Sequence, residues 1–282
     1  MFIILGACGN SGSQVTKILS QTGKPVLAVV HSADKADAIR TETVEPVVAD
    51  LRDSDALRRI FRRGRRAFLL NPPGDPAGDS NASELETVHS IADALADSGL
   101  EKIVLASTYG AQPGDGIGDL STLYAFEQLA GASGIPLAIN RGAYYFTNLD
   151  MLADAARDGV LPTAFPADFT LPMVAPEDLG VAAAERLLSG FDDVGIQYVE
   201  GPARYSFTDV AARFSQHLGR DVRVQTTPRD EWEESFKAAG FSAASARAFA
   251  RMTEATLDGP ELPDDPIRGR VTLDDYIAGL LR

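Results

Sequence analysis

FIILGACGNSGSQV, residues 2–15, decides the fold: a short apolar run leads into three glycines and the start of a helix. The apolar run predicts a strand, Gly6 permits a tight turn, and Gly9 and Gly12 keep side chains out of that turn. The backbone amides that begin the helix would then face an anion, which the helix dipole also favours. This arrangement is typical of a pyrophosphate site, although the G-x-x-G-x-x-G spacing differs from the commoner G-x-G-x-x-G.

Around this turn, the first half of the chain alternates apolar runs with helical stretches. Strands are predicted at 2–5, 26–30, 44–49, 67–71, 102–107 and 137–141, and helices near 11–22, 33–40, 53–63, 80–98 and 120–133. Strands this apolar, with helices between them, predict a parallel sheet covered on both faces by right-handed crossovers. The predicted fold class is therefore α/β, a Rossmann-type doubly wound parallel sheet.

After about residue 150 the pattern changes. Helices are predicted at 149–157, 177–189, 206–218, 229–239, 243–256 and the C-terminus, strands at 195–201 and 222–227, and a proline-rich loop at 161–172. We therefore expect an NAD(P)-binding Rossmann domain over 1–150 and a smaller, mostly helical C-terminal lobe over 151–282, with a boundary that is not strictly contiguous. The lobe would form the substrate or partner side, across the carboxyl ends of the strands, where ligands bind in open α/β sheets.

The net charge of the chain limits the classes of molecule that it can bind. The 282 residues carry a net charge of −14, and a surface this acidic repels nucleic acid and anionic membranes, so we expect neither as a partner. The one arginine-rich stretch, LRRIFRRGRR at 57–66, is interpreted as an amphipathic helix with a solvated basic face. A small-molecule substrate is expected instead.

Cysteine usage and hydropathy indicate a cytoplasmic protein. No apolar run approaches the roughly 20 residues needed to span a bilayer, and no secretory signal is recognisable. The single cysteine, Cys8, excludes an internal disulfide and is interpreted as a small packing residue of the glycine turn. His31, His89 and His217 lack the spacing of metal ligands, so no metal site is expected.

The ends of the second and third strands are predicted to contact the adenosine half of a dinucleotide. The second strand ends at His31 and Ser32, with Lys35 just beyond, where a carboxylate would select NAD and an arginine would receive the extra phosphate of NADP. The missing carboxylate favours NADP over NAD, but imidazole lacks the fixed donors of guanidinium, and His31 could equally be a surface residue. Asp50, followed by Leu51, could bind the adenine amine or cap the next helix.

The fourth and fifth strands complete the predicted cofactor site. Asn71-Pro72-Pro73 would form a stiff turn where a ribose passes, or a purely structural turn, and Ser107 would lie beside the nicotinamide. The predicted cofactor-binding residues are Gly6, Cys8, Gly9, Asn10, Ser11, Gly12, His31, Ser32, Lys35, Asp50, Leu51, Asn71, Pro72, Pro73 and Ser107.

Five segments in combination resemble the NmrA-like family, atypical members of the short-chain dehydrogenase/reductase superfamily. They are GACGNSG (6–12), AFLLNPP (67–73), KIVLAST (102–108), FEQLAGASGIPLAINRGAYYFTN (126–148) and VAPEDLGVAAAERLL (174–188), and the similarity extends through GPARYSFTDVAARFSQHLGRDV (201–222). The resemblance implies a Rossmann fold that binds NADP or NAD. Family members include reductases of quinones and other small aromatic compounds, and redox sensors that bind a protein partner.

The chain departs from the superfamily pattern where the catalytic pair is expected. Reductases of the superfamily usually carry Y-x-x-x-K on the helix after the fifth strand, where the tyrosine donates a proton and the lysine lowers its pKa. Here Tyr124 is followed four residues later by Gln128. If Glu127 is instead aligned with the family's helix glutamate, the lysine position is Leu123. On either alignment the lysine is absent.

Two functional hypotheses follow. In the first, the protein is an NAD(P)H-dependent oxidoreductase that passes hydride to a small organic acceptor such as a quinone, for which solvent can supply the proton. Its catalytic residues are unknown, with Tyr109 and Tyr124 as candidates. Tyr109, Tyr144 and Tyr145 are expected to line the substrate pocket, although the last two could simply pack under the following helix. In the second, the protein is a catalytically silent NADP/NAD sensor that acts through a protein partner.

Overall fold

The computed structural model describes residues 1–259 and 261–282. The strands in these ranges are β1 (Phe2–Ile4), β2 (Val26–Val30), β3 (Val44–Val48), β4 (Arg66–Leu69), β5 (Lys102–Thr108), β6 (Leu137–Gly142), β7 (Tyr144–Tyr145), β8 (Val160–Thr163), β9 (Leu171–Val174), β10 (Gly195–Glu200), β11 (Arg204–Tyr205), β12 (Arg223–Thr226) and β13 (Ile267–Arg268). The helices are α1 (Asn10–Gln21), α2 (Ala33–Ile39), α3 (Ser54–Phe61), α4 (Ser80–Leu95), α5 (Asp119–Ala132), α6 (Ala153–Arg157), α7 (Pro176–Leu188), α8 (Phe207–Leu218), α9 (Trp232–Ala238), α10 (Ala243–Asp258) and α11 (Leu273–Leu280). Across these ranges, no helix has both the length and the apolar character needed to cross a membrane.

The main sheet has eight strands in the order β3-β2-β1-β4-β5-β6-β10-β13. Every pairing in it is parallel. The six strands predicted in the first half of the chain are confirmed, and so is the Rossmann-type α/β fold. Strand order reverses direction at β1, which has β2 on one side and β4 on the other. The glycine turn therefore lies at the switch point of the sheet, where such folds bind ligands.

Helices cover both faces of this sheet, which explains why all five residues of β2 are buried. On one face, Ile3, Leu27 and Leu69 pack against α3, α4 and α5 in a single hydrophobic cluster. On the other face, Ile4 and Phe68 pack against α1 and α7. Consecutive residues of β1 thus enter different cores, because side chains alternate across a strand.

The chain after residue 150 contributes to both parts of the molecule. Helix α7 packs beside α1 on the main sheet, and β10 and β13 extend that sheet past β6. Helices α6, α8 and α11 and the short strands β7, β8, β9, β11 and β12 surround a second core, which includes Phe146, Leu149, Met173, Phe207 and Phe214. Helices α9 and α10 pack against each other, and α10 also contacts α4. The smaller lobe is mostly helical, as predicted, and the division between the two parts near residue 150 stays a prediction.

The proline-rich segment 161–172 is not entirely a loop, contrary to expectation. It holds most of β8 and the start of β9, and β8 pairs in parallel with β12 from Val160 opposite Arg223 to Thr163 opposite Thr226. Pro162 is tolerated because β8 has a partner on one side only, which leaves the position of its missing N–H at an edge. The predicted helix 149–157 also differs, since a 3₁₀ segment occupies Phe146–Leu152 before α6 begins.

We predict that Gly12→Ala destabilises the protein by about 1–3 kcal/mol, because the added Cβ would overlap the Gly6 carbonyl oxygen. Gly279→Ala is the matched control: Gly279 lies in α11 and a Cβ there would meet no atom within 4 Å. That variant should be neutral or more stable, since alanine favours a helix over glycine by roughly 1 kcal/mol. Urea denaturation measures both, and equal stability of the two variants would contradict the close contact.

Candidate functional site

The glycine turn, residues 6–12, joins β1 to α1 at the carboxyl edge of the sheet. Gly6 has φ +60°, a conformation that side chains disfavour, and its carbonyl oxygen accepts a hydrogen bond from the Gly9 N–H at 2.8 Å. A Cβ on Gly6 would lie 2.8 Å from the side chain of Leu70, and one on Gly12 would meet the Gly6 carbonyl. The turn can be this compact only because these residues lack side chains.

The N-terminus of α1 has the properties of an anion site. Its N-cap is Gly9, so no side chain caps the first-turn amides, and the first turn of the helix carries no acidic residue. The amides of Asn10, Ser11 and Gly12 are therefore available to an external acceptor, and the helix dipole favours a negative one. A pyrophosphate fits this set of donors. The first turn of α1 has no carboxylate side chain that would compete for the same amides.

The end of β2 lies beside the turn. The Cys8 thiol is 3.8 Å from the Lys35 carbonyl oxygen, which links the turn to α2 and agrees with a packing role for Cys8. His31 and Lys35 are exposed, and Ser32 is the N-cap of α2 but makes no capping hydrogen bond with its side chain. In the part of the chain that the structure describes, no partner occupies these side chains, which lie at the same edge of the sheet as the anion site.

Asp50 does not cap the following helix. The N-cap of α3 is Asp53, whose Oδ1 accepts the Ala56 N–H at 2.8 Å. Asp50 instead accepts the Arg52 N–H at 2.9 Å, which shapes the turn before the helix, and Leu51 packs against the main core. The capping alternative is therefore wrong, and adenine binding by Asp50 stays a prediction.

The turn after β4 contains an unsatisfied polar atom. Asn71 Oδ1 is buried and has no hydrogen-bond partner among the described residues. Such an acceptor costs roughly 1–3 kcal/mol when it is left unpaired, so a donor from outside the protein, such as a ligand group or water, would stabilise it. After Pro72 and Pro73, the Gly74 N–H donates to Glu84 Oε1 at 2.9 Å, which fixes the turn against α4.

Ser107 at the end of β5 is held by a buried ion pair. Its hydroxyl donates to Glu127 Oε1 at 2.5 Å, and Arg141 donates to both oxygens of Glu127 at 3.0 and 2.8 Å. All three side chains are buried. A glutamate and an arginine, rather than a tyrosine and a lysine, therefore surround Ser107 in this protein.

Arg141 also binds Glu261, which is distant in sequence. Arg141 Nη1 donates to Glu261 Oε1 at 3.2 Å, and Glu261 also accepts the Gly110 N–H at 2.6 Å and the Tyr198 hydroxyl. Sequence reasoning did not identify Arg141 or Glu261. The available signal was an arginine that ends the apolar strand LAINR, because a buried guanidinium needs carboxylate partners.

The candidate tyrosines are separated by the fold. Tyr109 donates to Glu200 Oε1 at 3.3 Å, and burial followed by the charge of Glu200 raises its pKa above the ordinary value. Tyr144 is not brought to the site, because its ring packs in the lobe core against Phe165 and Phe207, at 6.0 and 6.3 Å. Tyr124 is half-buried on α5.

Tyr145 points the other way and reaches the glycine turn. Tyr145 and Ser11 line the same small cavity, and burial followed by the charge of Asp119 raises the pKa of Tyr145 to about 12. The two adjacent tyrosines face opposite sides because they lie in a strand. Only Tyr145 of this pair therefore belongs to the candidate site.

Two carboxyl groups come from neighbouring helices at this edge. Glu84 of α4 is buried, and its Oε2 accepts the hydroxyl of Thr122 from α5 at 2.7 Å, while Asp119 at the start of α5 is half-buried. Burial first, and then the charge of Glu84, raise the pKa of Asp119 to about 7. Over residues 1–259 and 261–282, no group of three or more His, Cys, Asp or Glu residues could hold a metal ion.

We predict that Glu127→Ala lowers the free energy of unfolding by about 3 kcal/mol, because it leaves the Arg141 charge without its main buried partner. This value is at the lower end of the range for a broken buried ion pair, since Glu261 still compensates part of the Arg141 charge. Asp154→Ala removes an exposed i,i+3 partner of Arg157 and serves as the control. It should leave the midpoint of thermal unfolding unchanged. A loss of the same size in both variants would show that the buried network has no special role.

Comparisons with known proteins identify the family and the fold. A family model described as the NmrA-like family matches residues 1–260. The chain is 22% identical over 259 residues to the NAD(P)H azoreductase of Xenophilus azovorans, an alignment that covers 89% of this chain and 86% of the relative.

Solved structures extend the comparison to the whole length. The NADPH-dependent quinone oxidoreductase of Escherichia coli, complexed with NADPH, has a TM-score of 0.83 at 21% identity and covers 100% of both chains. The triphenylmethane reductase of Citrobacter sp., complexed with NADP(H), has a TM-score of 0.82 at 19% identity, over 99% of this chain and 100% of that one. Because the family model spans nearly the whole chain and the fold agrees along it, this protein belongs to the NmrA-like family.

Proposed function

We propose that this protein is an NAD(P)H-dependent oxidoreductase that transfers hydride to a small organic acceptor such as a quinone, with NADPH as the preferred donor. The observation that carries the proposal is the uncapped glycine turn at the switch point of the sheet, with Asn71 Oδ1, which has no partner among the described residues, one strand away. It is supported by relatives of similar length that are named as an NAD(P)H azoreductase and an NADPH-dependent quinone oxidoreductase.

The residues of the turn and of the strand ends divide the binding task. The amides of Asn10, Ser11 and Gly12 bind the pyrophosphate, for which the dipole of α1 is favourable. The phosphate on the adenosine half is bound by His31, Ser32 and Lys35, and the adenine amine donates a hydrogen bond to Asp50. Asn71 Oδ1 accepts from the ribose side of the dinucleotide, which removes the cost of an unpaired buried acceptor.

When bound, the reduced nicotinamide supplies the hydride, so the protein has to orient the two reactants and exclude water. Tyr109, Tyr145 and Tyr198 provide aromatic surface at the carboxyl edge for a flat acceptor, and the Tyr109 and Tyr198 rings already pack edge to face at 5.2 Å. The absent Tyr-x-x-x-Lys pair does not exclude this reaction, because the reduced form of a quinone can take its proton from another group.

We do not propose the sensor alternative, since no contact in the described residues favours a protein partner over a small acceptor. It remains a distinct outcome of the direct test, which follows the loss of NADPH absorbance with a panel of quinone and azo acceptors. Tight NADPH binding without turnover of any acceptor would contradict the enzyme hypothesis and favour the sensor hypothesis. No dinucleotide binding at all would overturn both.

We predict that Gly9→Asp abolishes NADPH binding, with a Kd at least about 100-fold higher. Asp and Asn are both favourable N-cap residues, so Gly9→Asp and Gly9→Asn should each keep the thermal stability of the wild type. The two variants add a side chain of the same shape, and both bring a Cβ to 3.3 Å from the Gly6 carbonyl oxygen. Gly9→Asn should therefore bind far better than Gly9→Asp, and the difference reports the negative charge.

Isothermal titration with NADPH measures both affinities on folded protein. Binding by Gly9→Asp with the affinity of the wild type would mean that the phosphates do not lie at the start of α1.

We predict that Lys35→Ala weakens NADPH binding about fivefold, roughly 1 kcal/mol for an exposed charge contact, and leaves NADH binding unchanged. The reason is that exposed Lys35 lies at the end of β2, where the adenosine phosphate is expected. Lys24→Ala, an equally exposed lysine at the amino end of β2, is the control and should change neither affinity. An equal loss for both dinucleotides would contradict the assignment to the phosphate.

A further inference from the structure

Three hydrogen-bond donors converge on one carboxylate at the carboxyl edge of the sheet. The Gly110 N–H donates to Oε2 of Glu261 at 2.6 Å. Nη1 of Arg141 donates to Oε1 of the same residue at 3.2 Å, and the Tyr198 hydroxyl also donates to Oε1. The donors belong to the ends of β5, β6 and β10, whereas the carboxylate comes from the segment between α10 and β13. A backbone amide, a guanidinium and a phenol hydroxyl together form a set of donors suited to an anionic oxygen group.

The strand register explains why these donors meet. Ser107 of β5 lies opposite Arg141 of β6, and Arg141 lies opposite Tyr198 of β10. Residues in register on neighbouring strands project from the same face of a sheet, so these three side chains form one row. The row begins at Ser107, the residue that is predicted to lie beside the nicotinamide. The three donors are therefore near the place where the reacting end of the dinucleotide is expected.

The donors are held in place without help from Glu261. Nε and Nη2 of Arg141 donate to the two oxygens of Glu127 at 3.0 and 2.8 Å, and both of these side chains are buried. This ion pair fixes the guanidinium and leaves Nη1 for another acceptor. The Tyr109 N–H donates to the Gly142 carbonyl oxygen at 2.9 Å, which fixes the backbone just before the amide donor. The set of donors should therefore persist when the Glu261 carboxylate leaves it.

Glu261 can leave while its segment stays in place. Its side chain is 28% exposed, compared with 9% for the side chain of Arg141. Two residues further on, the Pro263 carbonyl oxygen accepts a hydrogen bond from Nη2 of Arg204 at 3.0 Å, which anchors the main chain. Rotation of the glutamate side chain into solvent thus vacates the three donors without unfolding the segment.

The surroundings of the donors favour an aromatic anion. The Tyr198 and Tyr109 rings pack edge to face with their centroids 5.2 Å apart, and Cζ of Arg141 lies 5.9 Å from the centroid of the Tyr198 ring. An aromatic ring that carries a carboxylate would contact this ring surface and the donors at the same time. The exchange replaces one anion beside Arg141 by another, so the buried guanidinium keeps its compensating charge.

We propose that the Gly110 N–H, Arg141 Nη1 and the Tyr198 hydroxyl form a binding site for the carboxylate of an aromatic ligand, and that Glu261 fills this site until the ligand displaces it. The ligand group is a carboxylate because the three donors already bind one. That this ligand is the hydride acceptor rests on the proposed function. The acceptor class is then an aromatic compound with a carboxylate substituent.

Isothermal titration with benzoate tests the site on folded protein without dinucleotide, and benzamide is the neutral counterpart of benzoate. Wild type should bind benzoate weakly, and Glu261→Ala should bind it about tenfold more tightly because the internal competitor is gone. Asp265→Ala removes an exposed carboxylate from the same segment and should match the wild type. Benzamide should gain no affinity in any variant.

Two further variants keep the test valid if Glu261→Ala is poorly folded or binds benzoate elsewhere. Glu261→Gln keeps the size of the side chain and should show a smaller gain in the same direction. Tyr198→Phe, added to Glu261→Ala, should weaken benzoate binding about fivefold, because it removes one donor and keeps the ring. Benzoate should also raise the unfolding temperature of Glu261→Ala by more than that of the wild type.

Steady-state kinetics with NADPH tests the assignment of the ligand as the acceptor. The assay compares 1,4-naphthoquinone with a naphthoquinone that carries a carboxylate. The ratio of kcat/KM for the carboxylated quinone to that for the neutral quinone should rise about tenfold in Glu261→Ala and keep the wild-type value in Asp265→Ala. If Glu261 only stabilised the fold, its removal would change both quinones alike.

The outcomes separate the anion site from the proposed function. Equal benzoate affinity in wild type and Glu261→Ala, binding by the variant alone, or no binding by either would overturn the site. Benzamide binding as tight as that of benzoate would overturn the anionic class of ligand. An unchanged ratio of kcat/KM would overturn the assignment to the acceptor and leave the oxidoreductase intact. Selective benzoate binding without reduction of any acceptor would overturn the proposed function and support the site.

Discussion

The close contact between the Gly6 carbonyl and the first turn of α1 is the constraint on which the rest of the structure depends. Gly12 has no room for a Cβ there, and Gly6 adopts φ +60°. This contact brings the start of α1 over the end of β1, the strand at which the order of the sheet reverses. The uncapped amides of the helix thus lie at the switch point, where the ends of β2, β4 and β5 also converge.

Buried charge is the second organising feature of this edge. Two of its buried carboxylates are paired with arginines: Glu127 with Arg141, and Glu200 with Arg204 and Arg268. These pairs tie segments that are distant in sequence, and breaking one leaves an uncompensated buried charge. Glu84 differs in its partners, because its two oxygens accept the Gly74 N–H and the Thr122 hydroxyl instead of a guanidinium.

Much of the fold could be predicted because it depends on local patterns. The six apolar runs of the first half form β1 to β6, and the glycine spacing identified the turn. Predictions failed where a distant partner decides the outcome. The segment 161–172 looked like a loop because β8 is recognisable only through its pairing with β12. Asp50 was a possible cap because it precedes α3, but the folded geometry gives that role to Asp53.

The sequence by itself determined the alternation of strands and helices, the family, and the absence of the usual lysine after Tyr124, since these depend on residue type and spacing along the chain. Only the tertiary structure decided that Tyr145 lines a cavity with Ser11 while Tyr144 packs against Phe207. It also decided that Glu84 accepts the hydroxyl of Thr122, 38 positions further along the chain. The physical reason is that the pairing of side chains across a core depends on how helices pack on the sheet, which spacing along one segment does not contain.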